Sequence, residues 1–336
     1  MSEQSQKTIL TTSQNTSQSF SVLSLFDGMS CGQIALNKIG LKYDNYFASE
    51  IDKHAIKVTQ INYPNTIQLG DITKIKGDNL PQIDLLIGGS PCQGFSFAGK
   101  GLNFEDSRSK LFFEFIRLKN ETNPKYWMLE NVKMKIKYKD IISDILGVKP
   151  VLINSKIFSA QNRERLYWTN IPITELPKDK GILLKDIIEI GEAIKDKSQT
   201  ILSTLYKENA KSMIKRNKAG LLVKMSSENP RIKELSITDR GIRPHRNDQR
   251  KSGISEIGII HYPDTKSYTI TANHAPTLLT EIIGWRKLTP IECERLQTVP
   301  DNYTSCVSKT QRYKMLGNGW TVDVIAHIFS SLLNNK

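Results

Sequence analysis

From Phe20 onward, short apolar runs alternate with stretches of helical periodicity. The runs Val22–Phe26, Tyr43–Ser49, Ile83–Gly88, Tyr126–Leu129, Val151–Phe158 and Leu166–Thr169 predict strands. Between them, Gly32–Ile39, Asp52–Asn62 and Ser107–Lys119 predict helices. Strand, turn, helix and strand again is the pattern of an α/β fold with a mostly parallel sheet and helices on both faces. Ligands of such sheets bind at the carboxyl ends of the strands. Residues that follow the predicted strands are therefore the first place to look for chemistry.

The rhythm fades after about Pro172. Residues 1–19 are rich in Ser, Thr and Gln and predict a flexible polar tail. Residues 20–175 form the first domain, and 176–304 a smaller second one with weaker periodicity. A connecting helix over 289–297 closes the second domain. Thr289 is its N-cap, Pro290 its first helical residue, and Glu292 completes a capping box. Residues 305–336 predict helices that return to the first domain, the last being amphipathic over Thr321–Leu333.

Charge sharpens this division. The 336 residues carry a formal charge of +13. Between Lys211 and Lys251, twelve Lys/Arg face four Asp/Glu, a net of +8 in 41 residues. Such clustering favours a polyanionic partner over a merely solubilising surface. The four cysteines, Cys31, Cys92, Cys293 and Cys306, form no C-x-x-C pair, so neither a metal site nor a dithiol motif is expected. Scattered thiols suit a reducing compartment. Apolar runs fall well short of the roughly 20 residues that span a bilayer, and the start lacks a signal-peptide pattern. A cytoplasmic protein without membrane association is expected.

Six segments carry candidate chemistry. The first strand ends in Phe26-Asp27-Gly28-Met29-Ser30-Cys31-Gly32, a turn that lets backbone approach a cofactor. The second ends in Ser49-Glu50-Ile51-Asp52, and a third acidic site is Gly70-Asp71-Ile72. These acids suit a ribose diol, although Glu50 and Asp52 equally suit a helix N-terminus. The missing G-x-x-x-x-G-K-[ST] pattern disfavours a nucleoside triphosphate.

The segment Asp84-Leu-Leu-Ile-Gly-Gly-Ser-Pro-Cys-Gln-Gly-Phe-Ser-Phe-Ala-Gly-Lys100 brings Cys92 to the end of a buried strand. A thiolate is a soft nucleophile suited to an electron-poor ring carbon; the alternative is a buried structural thiol. Gly94, Gly99 and Gly101 are candidate hinges of a closing loop. In Tyr126-Trp-Met-Leu-Glu-Asn-Val132, Glu130 in a poorly solvated cleft is expected to hold a proton near neutral pH. In Ser159-Ala-Gln-Asn-Arg-Glu-Arg-Leu-Tyr-Trp168, Arg163 and Arg165 at period two are expected on one face, suited to a carboxylate, carbonyl or phosphate.

In this order, the segments resemble the cytosine-5 DNA methyltransferase family. The resemblance spans Phe20 to about Asn170 and Arg286 to about Phe329. The Phe-Asp-Gly-Met-Ser-Cys-Gly turn, Leu111-Phe-Phe-Glu-Phe115 and Gly317-Asn-Gly-Trp-Thr-Val-Asp323 look most like the branch of animal de novo enzymes. The basic insert is like the target-recognition domain of bacterial and phage enzymes. The resemblance implies a class I, Rossmann-like methyltransferase fold, with S-adenosylmethionine as cofactor and S-adenosylhomocysteine as product. It implies Cys92 as nucleophile, Glu130 as acid, and Arg163 and Arg165 in the catalytic set, with Arg165 at the target base. Phe26, Asp27, Gly28, Glu50, Ile51, Asp71, Ile72, Ser90, Pro91, Leu111 and Asn318 are the expected cofactor-site residues. Gln93, Ser96, Gln161, Arg240, Arg243 and Arg246 are the expected DNA contacts. Two positions depart from the family: Ser30-Cys31-Gly32 replaces a Gly-x-Gly turn, and Asn162 stands where a basic residue is common.

The expected partner is double-stranded DNA, met by a monomer in a bacterial or phage-infected cell, with a restriction endonuclease as companion in the same system. The alternatives are a tRNA cytosine-5 methyltransferase on the same scaffold, a nucleic-acid-binding protein with an inactive core, and a methyltransferase of small molecules. The large basic insert argues against the first and third, and the intact Cys92, Glu130 and Arg165 against the second.

Overall fold

The computed structural model describes residues 20–90, 107–208, 218–225, 235–238, 241–244, 257–259 and 284–333, with Ala210, Met213 and Arg216 as isolated positions. Pro91, Cys92, Gln93, Ser96, the three loop glycines, Arg240 and Arg246 lie outside the described residues, as does the 1–19 tail.

Seven strands form the central sheet: β1 (Ser21–Leu25), β2 (Asn45–Ser49), β3 (Ile67–Gln68), β4 (Leu85–Gly89), β5 (Tyr126–Val132), β6 (Val151–Asn154) and β8 (Glu164–Thr169). Their order is β3-β2-β1-β4-β5-β8-β6. Pairing is parallel from β3 to β5, whereas β8 runs antiparallel to both β5 and β6. The expected run Val151–Phe158 ends early. Asn154 turns the chain by accepting from Lys156 N at 3.0 Å, and a single 3-10 turn follows.

Side chains alternate across the sheet as a period of two requires. Val22, Leu85, Ile87 and Met128 enter one buried cluster. Leu23, Leu25, Leu86, Trp127 and Leu129 enter the cluster on the other face. Helices α1 (Cys31–Lys38), α2 (Lys53–Asn62), α3 (Ser107–Thr122) and α4 (Ile136–Leu146) connect the strands. Helix α4 is not among the helices expected above. Its signal is the i, i+4, i+8 series Tyr138, Ile142 and Leu146, all buried, closed by Gly147 at φ 71°.

Beyond the sheet, β9 (Glu192–Ala193), β11 (Leu222–Met225), β14 (Ile257–Ile259) and β15 (Gly284–Lys287) form a four-stranded antiparallel sheet, and β12 (Leu235–Thr238) pairs with β13 (Gly241–Pro244). Arg243 lies on β13. A short parallel pair, β7 (Gln161–Asn162) with β10 (Ser198–Gln199), stitches the later chain to the edge of the first unit. The first core cluster continues without a break through Leu184, Ile201, Leu222, Leu288 and Leu296.

Helix α5 (Pro290–Leu296) starts as the sequence predicts. Thr289 Oγ1 accepts from Glu292 N, and Glu292 accepts from Thr289 N. The wholly buried Glu292 also pairs with Arg286 at 2.6 and 2.8 Å. Helices α6 (Lys309–Asn318) and α7 (Val322–Ser330) complete the chain. Helix α7 packs against α1, with Val322, Val324, Ile325, Ile328 and Phe329 buried. Among the described residues, no helix is long and apolar enough to cross a membrane.

Candidate active site

The turn after β1 is unusual in its backbone. Phe26 has φ 57° and Ser30 φ 59°, a left-handed region that side-chain-bearing residues rarely adopt. Hydrogen bonds hold the strain in place. Asp27 N donates to Ser49 O at 3.1 Å, and Gly28 N to Glu50 Oε2 at 2.8 Å. The Asp27 carboxylate accepts from Ser30 Oγ and, at 2.9 Å, from Tyr46 OH. Burial pushes the Asp27 carboxyl up to about 6, against the pull of those hydroxyl donors. Asp27 thus anchors the turn from within.

Glu50 also accepts from Ile51 N and Asp52 N at 2.8 and 2.7 Å. Three of about four acceptor positions of its carboxylate are thereby used. Asp52 caps α2 through His54 N and pairs with Lys314 at 2.7 Å. Asp52 serves the helix N-terminus, whereas Glu50 ties the turn after β1 to the end of β2. Asp71 Oδ1 accepts from Thr73 N and Oγ1, which lowers its carboxyl below the ordinary range.

A nucleoside cofactor fits these residues on one observation. Ile51 is 78% exposed beside the strained turn, while most large apolar residues are covered. An apolar side chain exposed next to Glu50 would give a flat base one face to lie on. Phe26 and Leu111 pack against the second core cluster, and Asn318 is exposed at the end of α6. Ile72, also expected here, has its side chain 4% exposed within that core. It contributes packing and backbone rather than a cleft-facing side chain.

Glu130 lies next to the end of β5, in register with Gly89 of β4 and Tyr167 of β8. Its Oε1 is 3.0 Å from Arg165 Nε, both side chains being nearly buried. Arg165 Nη1 donates to Glu164 O at 2.7 Å. On the other oxygen, Trp320 Nε1 donates to Oε2 at 3.1 Å. The neighbouring Asn131 reaches from Nδ2 to Ser90 Oγ at 3.1 Å. Strand β5 thus fixes the point where the chain leaves β4, two residues before Cys92.

Arg163 does not join this pair. It is 3% exposed and donates to the carbonyls of Ile201, Gly317 and Gly319 at 2.9–3.3 Å. Burial and the charge of Arg165 pull its guanidinium down to about 9. Arg163 keeps to the side of the sheet that the period of two predicts, near Arg165, Glu130 and Tyr167, but its hydrogen bonds go to backbone carbonyls. Gln161, expected against DNA, is wholly buried. Its Oε1 accepts from Ile201 N and its Nε2 donates to Leu296 O, so its amide joins segments of the fold instead. Trp320 is the residue that sequence reasoning passed over, although it stands inside the Gly317–Asp323 motif.

Strand order, one reversed strand beside β5 and a cofactor turn after β1 define a class I S-adenosylmethionine-dependent methyltransferase fold. The profile of the C-5 cytosine-specific DNA methylase family matches residues 20–334. The chain is 27% identical to the orphan methyltransferase M.SPRI of Bacillus phage SPR, over 93% of this chain and 97% of that protein. It is 30% identical to the type II methyltransferase M1.ScrFI of Lactococcus lactis subsp. cremoris, over 94% of this chain and 78% of that one. The solved methyltransferase EhMeth of Entamoeba histolytica superposes with a TM-score of 0.63 at 15% identity, covering 95% of this chain and 99% of its own. Dnmt2 of S. pombe does so with 0.60 at 15%, covering 94% and 99%. These two likenesses concern the fold alone. The chain belongs to the C-5 cytosine-specific DNA methylase family, whose cofactor is S-adenosylmethionine.

Proposed function

We propose that this protein methylates C5 of a flipped-out cytosine in a specific duplex DNA sequence, through a covalent bond between Cys92 and C6. The observation that carries this reading is the Glu130–Arg165 pair at 3.0 Å, beside the strand end that leads to Cys92. Cytosine C5 is a weak nucleophile. Bonding of the Cys92 thiolate to C6 pushes the ring electrons toward C5 and N3. Glu130 meets N3 with a proton or hydrogen bond, and Arg165 holds both Glu130 and the base carbonyl. S-adenosylmethionine supplies the electrophilic methyl group for C5. Loss of the C5 proton to a base and of the Cys92–C6 bond then restores the ring.

Phe26, Gly28, Glu50, Ile51, Asp71 and Leu111 would hold the cofactor, with Asp27 bracing the turn. Unstacking the base costs about a few kcal/mol. Phosphate contacts from the 176–304 target-recognition domain, Arg240, Arg243 and Arg246 among them, offset that cost and make binding salt-sensitive. The protein acts as a monomer on DNA in the cytoplasm, as a phage orphan enzyme or beside a companion endonuclease.

The test is methylation of duplex DNA and tRNA side by side, followed by bisulfite sequencing. We expect 5-methylcytosine at one DNA sequence; labelling of tRNA alone would overturn the reading. Cys92→Ser is expected to bind the duplex and lose nearly all transfer, and 5-fluorocytosine at the target to trap a denaturant-stable adduct with the native enzyme alone.

A further inference from the structure

Trp320 is 190 residues from Glu130 in sequence, yet its indole reaches the carboxylate that Arg165 holds from the other side. Three contacts fix its backbone. Arg163 Nη2 donates to Gly319 O at 2.9 Å, and Gln297 Nε2 donates to the same carbonyl at 3.1 Å. Cys31 Sγ, in the cofactor turn, lies 3.7 Å from Trp320 O. The side chain is buried. Its approach to Glu130 depends on the absence of a side chain on β4: a Cβ on Gly89 would stand 2.9 Å from Trp320 Nε1 and 3.2 Å from Glu130 Oε2.

The chemistry of the two flanking donors is complementary. An indole N–H donates only, and a guanidinium donates only, so neither can take a proton from the carboxyl between them. Glu130 is thus held at both oxygens by groups that take no proton from it. We propose that Trp320 is a positioning residue for the methyl-transfer reaction: its indole N–H holds Glu130 Oε2 so that the carboxyl faces the base in one orientation. Arg163 acts one step further back, by holding the Gly317–Gly319 carbonyls from which Trp320 projects. This inference rests on the proposed role of Glu130 in cytosine methylation.

The test is a double-mutant cycle on the full chain with its duplex substrate, read by single-turnover methylation and by S-adenosylmethionine affinity. Trp320→Phe keeps an aromatic ring and removes the donor. We expect the rate to fall about tenfold, less than the roughly 10²–10⁴-fold that a proton-transfer group itself commands. The affinity for S-adenosylmethionine should change less than twofold. In a Glu130→Gln background the same replacement should cost less than about threefold, because residues that act as a unit are not additive. An equal loss in both backgrounds, or a loss of S-adenosylmethionine affinity as large as the loss of rate, overturns the proposal. If Trp320→Phe does not fold, site-specific benzothienylalanine at 320 replaces the N–H by sulfur at nearly constant shape, and the same outcomes apply. Failure of the underlying functional reading shows itself separately, as absence of cytosine methylation by the native enzyme.

Discussion

Arg165 Nε and Glu130 Oε1 lie 3.0 Å apart across two antiparallel strands, with the two side chains only 13% and 10% exposed. The pair exists because β8 runs against β5, with Val132 opposite Arg165 and Glu130 opposite Tyr167. A guanidinium remains charged throughout the working pH range and holds a fixed donor geometry. It therefore presents one oxygen of Glu130 in one place, next to the strand end that precedes the cysteine.

Glu130→Gln keeps the shape and removes the proton. The single-turnover rate should fall by about 10²-fold or more, as for loss of a general acid. Calorimetric affinity for S-adenosylmethionine should stay within about twofold, because the cofactor turn is built from β1 and β2. Equal losses in rate and affinity would make Glu130 a structural residue.

Ile51 is 78% exposed, so the folded chain without cofactor gains little from its side chain. If an adenine covers it, truncation loses about 1.5 kcal/mol of apolar burial, about tenfold in affinity. Ile51→Ser should raise the Kd for S-adenosylmethionine by about that factor, with the melting temperature unchanged. Unaltered affinity would remove Ile51 from the cofactor site.

Asp27 gives a pH dependence of known sign. Its carboxyl is raised by burial from 3.8 to about 6. Between those values the folded state keeps a proton that the unfolded chain releases. Its contribution to stability is full below about pH 4 and is lost as pH rises through 6. Asp27→Asn removes this loss. Relative to the native protein, the variant should gain about 1 kcal/mol between pH 5 and pH 7.5 in urea unfolding. A difference that is flat with pH would mean that Asp27 is ionised throughout.

Arg163 is buried with its guanidinium bonded to three carbonyls. Arg163→Ala leaves those carbonyls without donors and opens a cavity, at a cost of about 3–5 kcal/mol. Arg163→Lys should recover little, since one ammonium cannot match the planar fork. Thermal unfolding of both variants measures this. A full recovery by Lys would show that charge, not geometry, is what the site requires.

Much of this molecule was legible in the order of its residues. Strand positions, the parallel majority of the sheet and the capping box at Thr289 and Glu292 follow from patterns a few residues long, which local sterics and hydrogen bonding decide. Glu130 and Arg165 were legible as chemistry-bearing residues at strand ends, and Cys92 through its motif. What the tertiary structure decided is which of them meet. Arg163 and Arg165 look equivalent in sequence and keep to one side of the sheet, but Arg163 gives its donors to the carbonyls of Ile201, Gly317 and Gly319 while Arg165 meets Glu130. Gln161 looked available to DNA and is wholly enclosed. Trp320 reaches Glu130 only because α6 and α7 fold back over the sheet and Gly89 leaves room for the indole. Such contacts depend on strand direction and long-range packing, which no local window of residues contains.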